Sequence, residues 1–265
     1  MLQRSLAAIL ILCIACSGLS GCASKYGAPT TEVKHYHTCY APIQRLRDEE
    51  HRVTRTVAVS ATLTGAVIFT LCLARGGDAI RCSILAAAGA AGAGTAAYFL
   101  AVQNQNKNQN ARMAQYLQDL NGDISGLNIA TASARMAIQC YWEQFEILVA
   151  QYRERGLTGV QLRKQVEASE SYKEISSGID EAQHILGKVI VSAEKSDKMY
   201  QEAIAQETKQ QQQGQDSQPS VAQPPKEIDK VKAAQVNYKT SIEDAEKASR
   251  ELKEFRGKMA AHMEV

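Results

Sequence analysis

Apolar residues recur at alternating steps of three and four in two long stretches of this chain. Tyr172, Ile175, Ile179, Ala182, Leu186, Val189, Ala193 and Tyr200 form one stripe, interrupted only at Ser196. Ile228, Val231, Ala234, Tyr238, Ile242, Ala245, Ala248, Leu252, Phe255 and Met259 form the other. That period keeps side chains on one seam of a left-handed coiled coil. It predicts a coiled-coil helix over 157–207 and an amphipathic C-terminal helix over 227–265. Thr158 and Gln161 have the spacing of a capping box at the start of the first of these. Between the two, residues 208–226 are Gln-rich and end in Pro219, Pro224 and Pro225, a linker with no apolar spacing to bury. The linker is long enough for the second helix to return, so the pair is expected to pack antiparallel. Parallel self-association in a homodimer is the rival arrangement.

The region 42–156 also reads as helical, with a different pattern. Pro42 suits the first position of a helix, where a missing N–H is not needed. Two uncharged runs, Thr56 to Ala74 and Ser83 to Asn106, flank the turn signal Arg75-Gly76-Gly77-Asp78. They predict an apolar helical hairpin over 56–102. Small residues recur four apart, as Ala86, Ala90 and Gly94, and as Gly89, Ala93 and Ala97; Gly65 sits among Ser60, Ala61 and Thr64 on the first arm. Such rows allow close backbone approach, which is how helices associate in lipid. The hairpin fits either insertion in a bilayer, at roughly 20 residues per arm, or burial of an Ala-rich helical pair inside an oligomer. Further on, Asn121-Gly122-Asp123 and Ser125-Gly126 predict a break. A third helix then runs from about Leu127 to Arg155, with Ile138, Tyr141, Phe145, Leu148 and Tyr152 as its stripe, ending at Gly156.

Composition narrows the fold class. Aromatic residues are 6% of the 265 and there are five Pro, yet hydrophobic residues reach 45% because Ala is so frequent. A β-sandwich or barrel needs more β-branched and aromatic residues and more turns. The expectation is an all-α protein of long helical hairpins and coiled coil. A formal net charge of +2 gives no electrostatic case for nucleic acid.

The N-terminus carries the most specific signal. Met1 to Arg4 is short and basic, Ser5 to Gly18 is an uncharged apolar run, and Leu19-Ser20-Gly21-Cys22 follows. A basic start, a short apolar stretch and small residues before a cut make a secretory signal, here residues 1–21. Leu19-Ser20-Gly21-Cys22 resembles the lipobox of bacterial lipoproteins. The resemblance implies cleavage before Cys22, a diacylglycerol on its sulfur and an N-acyl chain on its amine, with 22–41 as a lipidated tether. Ala23, in place of the Asp that retains such proteins in the inner membrane, implies the outer membrane. The small-residue rows of 56–102 resemble the glycine-zipper segments of bacterial envelope proteins. No cofactor other than the covalent lipid is implied. The expected partners are a lipid bilayer and a homo-oligomer or envelope protein complex, with no nucleic acid and no small-molecule substrate.

Four further Cys remain in the exported chain: Cys39, Cys72, Cys82 and Cys140. An even number in an exported protein suggests two disulfides. Cys72 and Cys82 flank the hairpin turn almost symmetrically, which pairs them and leaves Cys39 with Cys140. A straight hairpin centred near residue 77 puts Cys140 about 38 Å from Cys39, so the second pairing calls for a chain reversal at Gly122–Gly126; an intermolecular bridge is the alternative. His35, His37 and Cys39 alternate as metal ligands on an extended strand would, but no second cluster joins them, and a His pair beside a disulfide Cys is the simpler reading. No phosphate loop, zinc-protease motif or nucleophile elbow occurs. Two function classes remain. One is a non-enzymatic structural or assembly lipoprotein; the other is an oligomeric pore or secretion component lined by the hairpins.

Overall fold

A computed structural model describes residues 31–50, 108–215 and 226–264, with side chains placed as far as 209 and again from 227. Every regular element among them is helical. Helix α1 begins at residue 37 and continues to 50, the edge of the described stretch. It is followed by α2 (Gln109–Glu154), α3 (Gly159–Ala168), α4 (Glu170–Gln215) and α5 (Lys226–Glu264). At about 1.5 Å per residue, the 46 residues of α2 and of α4 each extend about 69 Å.

The heptad stripes are the core of one unit, Val33–Val265. On α4, Ile175, Ile179, Ala182, Leu186, Val189, Ala193 and Tyr200 are all buried, and so is the seam of α5 from Ile228 to Met259. A third seam of the same period lies on α2: Met113, Tyr116, Leu120, Leu127, Ala130, Ala134, Ala137, Tyr141, Phe145 and Leu148. Each helix presents too narrow an apolar stripe to be stable alone, and three seams facing one another remove all of them from water. Contacts fix the directions. Arg112 meets Glu207 and the Tyr141 ring lies on Gly178, so α2 and α4 are antiparallel. Gln235 reaches Asp197 and Arg256 pairs with Asp180, so α4 and α5 are antiparallel as well. The expected hairpin of the heptad and C-terminal helices therefore forms within one chain. Helix α1 lies along α2 and α4, parallel to α4, and buries Cys39, Tyr40, Ile43 and Leu46 there.

Several local expectations are corrected. There is no reversal at Asn121–Gly126, because α2 runs through it unbroken. Two Gly cost about 1 kcal/mol each in a helix interior. Against that, Gly126 is buried in the packing, and Asp123 accepts a hydrogen bond of 3.0 Å from the Tyr200 hydroxyl on α4. Thr158 does precede a helix, but its side chain makes no capping bond, and that helix is the short α3. The heptad helix is opened instead by Ser169, whose hydroxyl oxygen accepts from the Tyr172 N–H at 3.2 Å. Pro42 is the sixth residue of α1 rather than its first; the bond it deletes is that to Thr38, which is exposed, where water can satisfy the carbonyl. His37 opens that helix, so His35, His37 and Cys39 do not alternate along a strand. Helix α4 continues to Gln215, into the stretch read as linker. Gly156 ends α2 as expected, at φ +79°: its N–H bonds Arg153 O at 2.8 Å and the Leu157 N–H bonds Tyr152 O at 3.3 Å. That is the Schellman arrangement of bonds.

Candidate functional site: an acidic clamp on the N-terminal helix

Three consecutive peptide N–H groups precede α1 with no helical partner. The Glu174 carboxylate takes all three: Lys34 and His35 donate to Oε2 at 3.0 and 2.8 Å, and Tyr36 donates to Oε1 at 2.8 Å. Tyr36 O in turn accepts the first helical bonds, from Cys39 and Tyr40. A carboxylate brought by another helix thus takes the N–H groups just ahead of α1, the last of them at its N-cap, as the Glu of a capping box does, and its charge sits at the positive end of the α1 dipole. Charge-assisted bonds of this kind are roughly twice as strong as neutral ones. Glu174 is only 4% exposed, so little water competes.

The clamp continues one heptad at a time along α4. Glu181 accepts from the Tyr40 hydroxyl at 3.0 Å and pairs with Arg47. Burial pushes the Tyr40 hydroxyl above its ordinary pKa, an effect Arg47 partly opposes, so it remains a donor at neutral pH. Lys188 then pairs with Glu50 at 3.1 Å. Cys39 is bonded to Cys140 of α2, with Cα atoms 5.3 Å apart. Helix α1 is therefore held covalently on α2 and by charge on α4. The predicted Cys39–Cys140 pair is brought together within one chain, but without the chain reversal thought necessary for it. The α1 and α2 registers meet at these residues with both helices unbroken at the contact. Cys22, Cys72 and Cys82 lie outside the described residues, as do Gly65, Gly89, Ala93, Gly94, Ala97 and the whole apolar hairpin.

Glu174, Glu181 and Lys188 were not anticipated. Each immediately precedes a d-type core residue (Ile175, Ala182, Val189), a position outside the e and g sites where coiled coils place partner-selecting charges, so each reads as solvated until a further helix covers it. Two further polar layers pin the long helices, the first joining α2 to α4 and the second all three. Arg112 makes a two-pronged pair with Glu207, 2.5 and 2.8 Å, with the carboxylate fully buried. The Glu207 hydrogen bond raises the Arg112 pKa still further. In the second layer, Tyr200 bonds Asp123 and Tyr238 bonds Ser196, while the two rings meet edge to face at 6.2 Å. Ser196, the one interruption of the heptad stripe, thus belongs with Tyr200 to a layer contributed by α2, α4 and α5.

The outer face of α2 differs from all others. Every exposed α2 residue from Asn110 to Gln139 is uncharged, whereas the exposed faces of α4 and α5 are rich in Lys, Glu, Asp and Arg. The four charges in that stretch turn elsewhere: Arg112 to Glu207, Asp123 to Tyr200, Arg135 to Asp244 on α5, and Asp119, half-buried, to Gln115.

Among the described residues no helix is long and apolar enough to cross a membrane, and no group of three or more His, Cys, Asp or Glu is disposed to hold a metal ion. The site can hold a helix and fix its register. Comparison with protein-family models, with curated proteins and with solved structures finds no match to this chain.

Proposed function

We propose that this protein is a non-enzymatic lipoprotein of the bacterial cell envelope. It is anchored in the outer membrane by acyl chains on Cys22 and acts as a structural or assembly component through its helical faces. The observation that carries this is the clamp. The chain that follows the lipobox is fastened to the bundle, within the stretch 22–41 read as a tether, by a disulfide, by Glu174 and by Glu181. Ten residues, 23–32, separate Cys22 from the unit that begins at Val33. A force or a partner acting on the bundle is thereby transmitted to the anchor through a short, covalently braced path. Disulfide use also fits an oxidising compartment such as the periplasm. The groups that line the described polar layers hold helices together, and each is already engaged with another side chain or with backbone.

The Cys22→Ser variant tests it. An uncleaved, unacylated precursor lost from the outer-membrane fraction is expected; normal cleavage and normal acyl labelling would contradict the anchor. Purified wild-type protein in liposomes is expected to leave a trapped solute inside. Release of the solute would favour the pore reading over the structural one.

A further inference from the structure

We propose that the uncharged outer face of α2 is the contact through which two copies of this chain associate, side by side, parallel and in register. The inference rests on the anchoring reading in one respect: copies held in one membrane by the same lipid share an orientation, so their α2 helices run the same way. In parallel, in-register pairing every residue meets its own counterpart. Any charge on the seam then meets a like charge, which is destabilising. The exposed faces of α4 and α5 fail that condition, carrying Lys195 and Lys198 on one and Lys239, Glu243 and Lys247 on the other. The exposed face of α2 meets it over the 30 residues from Asn110 to Gln139, about 45 Å of helix, where the part-exposed Arg135 is paired with Asp244 of α5.

Its spacing is also that of a second coiled-coil seam. Ala114, Ser125, Ile129, Ala132, Met136 and Gln139 are exposed at steps that sum from threes and fours, on the side of α2 away from its core stripe. Ile129 and Met136 are each 42% exposed, large apolar side chains that the monomer leaves in water. Ala132 between them lets two backbones approach. Exposed Glu143 and Glu146 mark where the uncharged stretch stops. Interfaces are set apart from ordinary surface chiefly by this depletion of charge at their centre. A strip of this length and about 10 Å width on each copy buries on the order of 900 Å² in total, below the roughly 1,200 Å² of standard stable interfaces. Confinement of both copies to one membrane raises their effective concentration and compensates.

The test is cysteine scanning of the full-length lipoprotein in its own membranes, read as disulfide-linked dimer on non-reducing gels after mild oxidation. Ala114→Cys and Ala132→Cys are expected to add dimer over the wild-type background, and Lys195→Cys and Lys239→Cys are not. Adding Ala132→Glu to Ala114→Cys places two carboxylates face to face and is expected to cut the cross-linked fraction at least roughly tenfold, while Ala132→Gln leaves it intact. Dimer from the α4 or α5 positions instead, or from none, overturns the proposal. The two readings fail separately. An acylated protein with no α2 dimer removes this inference and leaves the anchor, whereas an unacylated protein that still pairs through α2 removes the anchor and leaves the seam.

Discussion

Gly178 sits where no side chain fits. A Cβ built there would lie 2.5 Å from the Tyr141 hydroxyl oxygen, 2.6 Å from Cζ and 2.8 Å from Cε2. Tyr141 is fully buried, meets Tyr36 edge to face at 6.4 Å, and directly follows the disulfide Cys140. The ring therefore has nowhere to retreat. Gly178→Ala gains about 1 kcal/mol of helix propensity and incurs an overpacking cost of about 1–3 kcal/mol. The net expectation is a loss of up to about 2 kcal/mol. Gly187, nine residues along the same helix, meets nothing within 4 Å, so Gly187→Ala should keep the propensity gain alone. The gap between the two variants is then the packing cost by itself, about 1–3 kcal/mol, which at roughly 2–4 °C per kcal/mol for a chain of this size means several degrees in Tm. Tyr141→Phe sharpens the comparison. The Tyr141 hydroxyl is buried with no hydrogen-bond partner among the described residues, so its removal alone should be neutral or stabilising. Combined with Gly178→Ala it should recover part of the loss, since Cζ and Cε2 still crowd the site. Thermal unfolding of the four variants in one detergent reads all of this. Equal stabilisation by Gly178→Ala and Gly187→Ala would refute the close approach of α2 and α4 at this level.

Four more expectations follow from the same contacts. Cys39→Ser opens a closure spanning 101 residues and should lower stability by about 2–4 kcal/mol, with α1 becoming sensitive to limited proteolysis. Glu174→Gln replaces one of two acceptor oxygens by a donor facing peptide N–H groups and should cost about 1.5–3 kcal/mol, read by urea unfolding. Removing only Arg112 or only Glu207 strands a buried charge and should cost about 3–5 kcal/mol, whereas Arg112→Met with Glu207→Leu should come out near neutral or better; a double variant as poor as the singles would count against the pair's burial. Asp244 is held below its ordinary pKa chiefly by the hydrogen bonds from Arg135, 2.7 and 2.9 Å. A lowered pKa means its contribution is present above about pH 4 and is lost as pH falls through the folded value. Because both side chains are partly open to water, 38% and 48% exposed, Asp244→Asn should cost no more than about 1 kcal/mol at neutral pH, and the gap from wild type should close on acidification.

The parts of this fold that were legible in the sequence are those where one period governs a long stretch. Tyr172 to Tyr200 and Ile228 to Met259 announce their seams because apolar residues recur without competing signals. Gly156 was equally readable, since a left-handed backbone past a helix end is a local need that glycine meets. The α2 seam was hidden from Leu120 to Ala134, because Ala130 and Ala134 stand where Leu or Ile would be expected and because Asn121, Gly122, Asp123, Ser125 and Gly126 have the look of a turn. Long-range packing against Tyr200 outweighs that local preference. The clamp was hidden for another reason. A Glu that caps a helix 138 to 140 residues away leaves no local trace, and Glu174, Glu181 and Lys188 look like the solvated flank of a coiled coil until α1 is laid along them. The Cys39–Cys140 pair was found by elimination and symmetry, while the geometry imagined to permit it was wrong.

The central claim is that a lipid-bearing N-terminus is fastened to this bundle, and one measurement addresses both halves of it. Mass spectrometry of non-reduced peptides from protein extracted from the envelope reads the N-terminal residue, its modification and the state of Cys39 and Cys140 together. The account predicts a chain that starts at Cys22, carries a diacylglycerol and an N-acyl chain there, and yields a Cys39–Cys140 linked peptide that separates on reduction. A chain retaining residues 1–21, or an unmodified Cys22, or Cys39 and Cys140 recovered as free thiols, would contradict it.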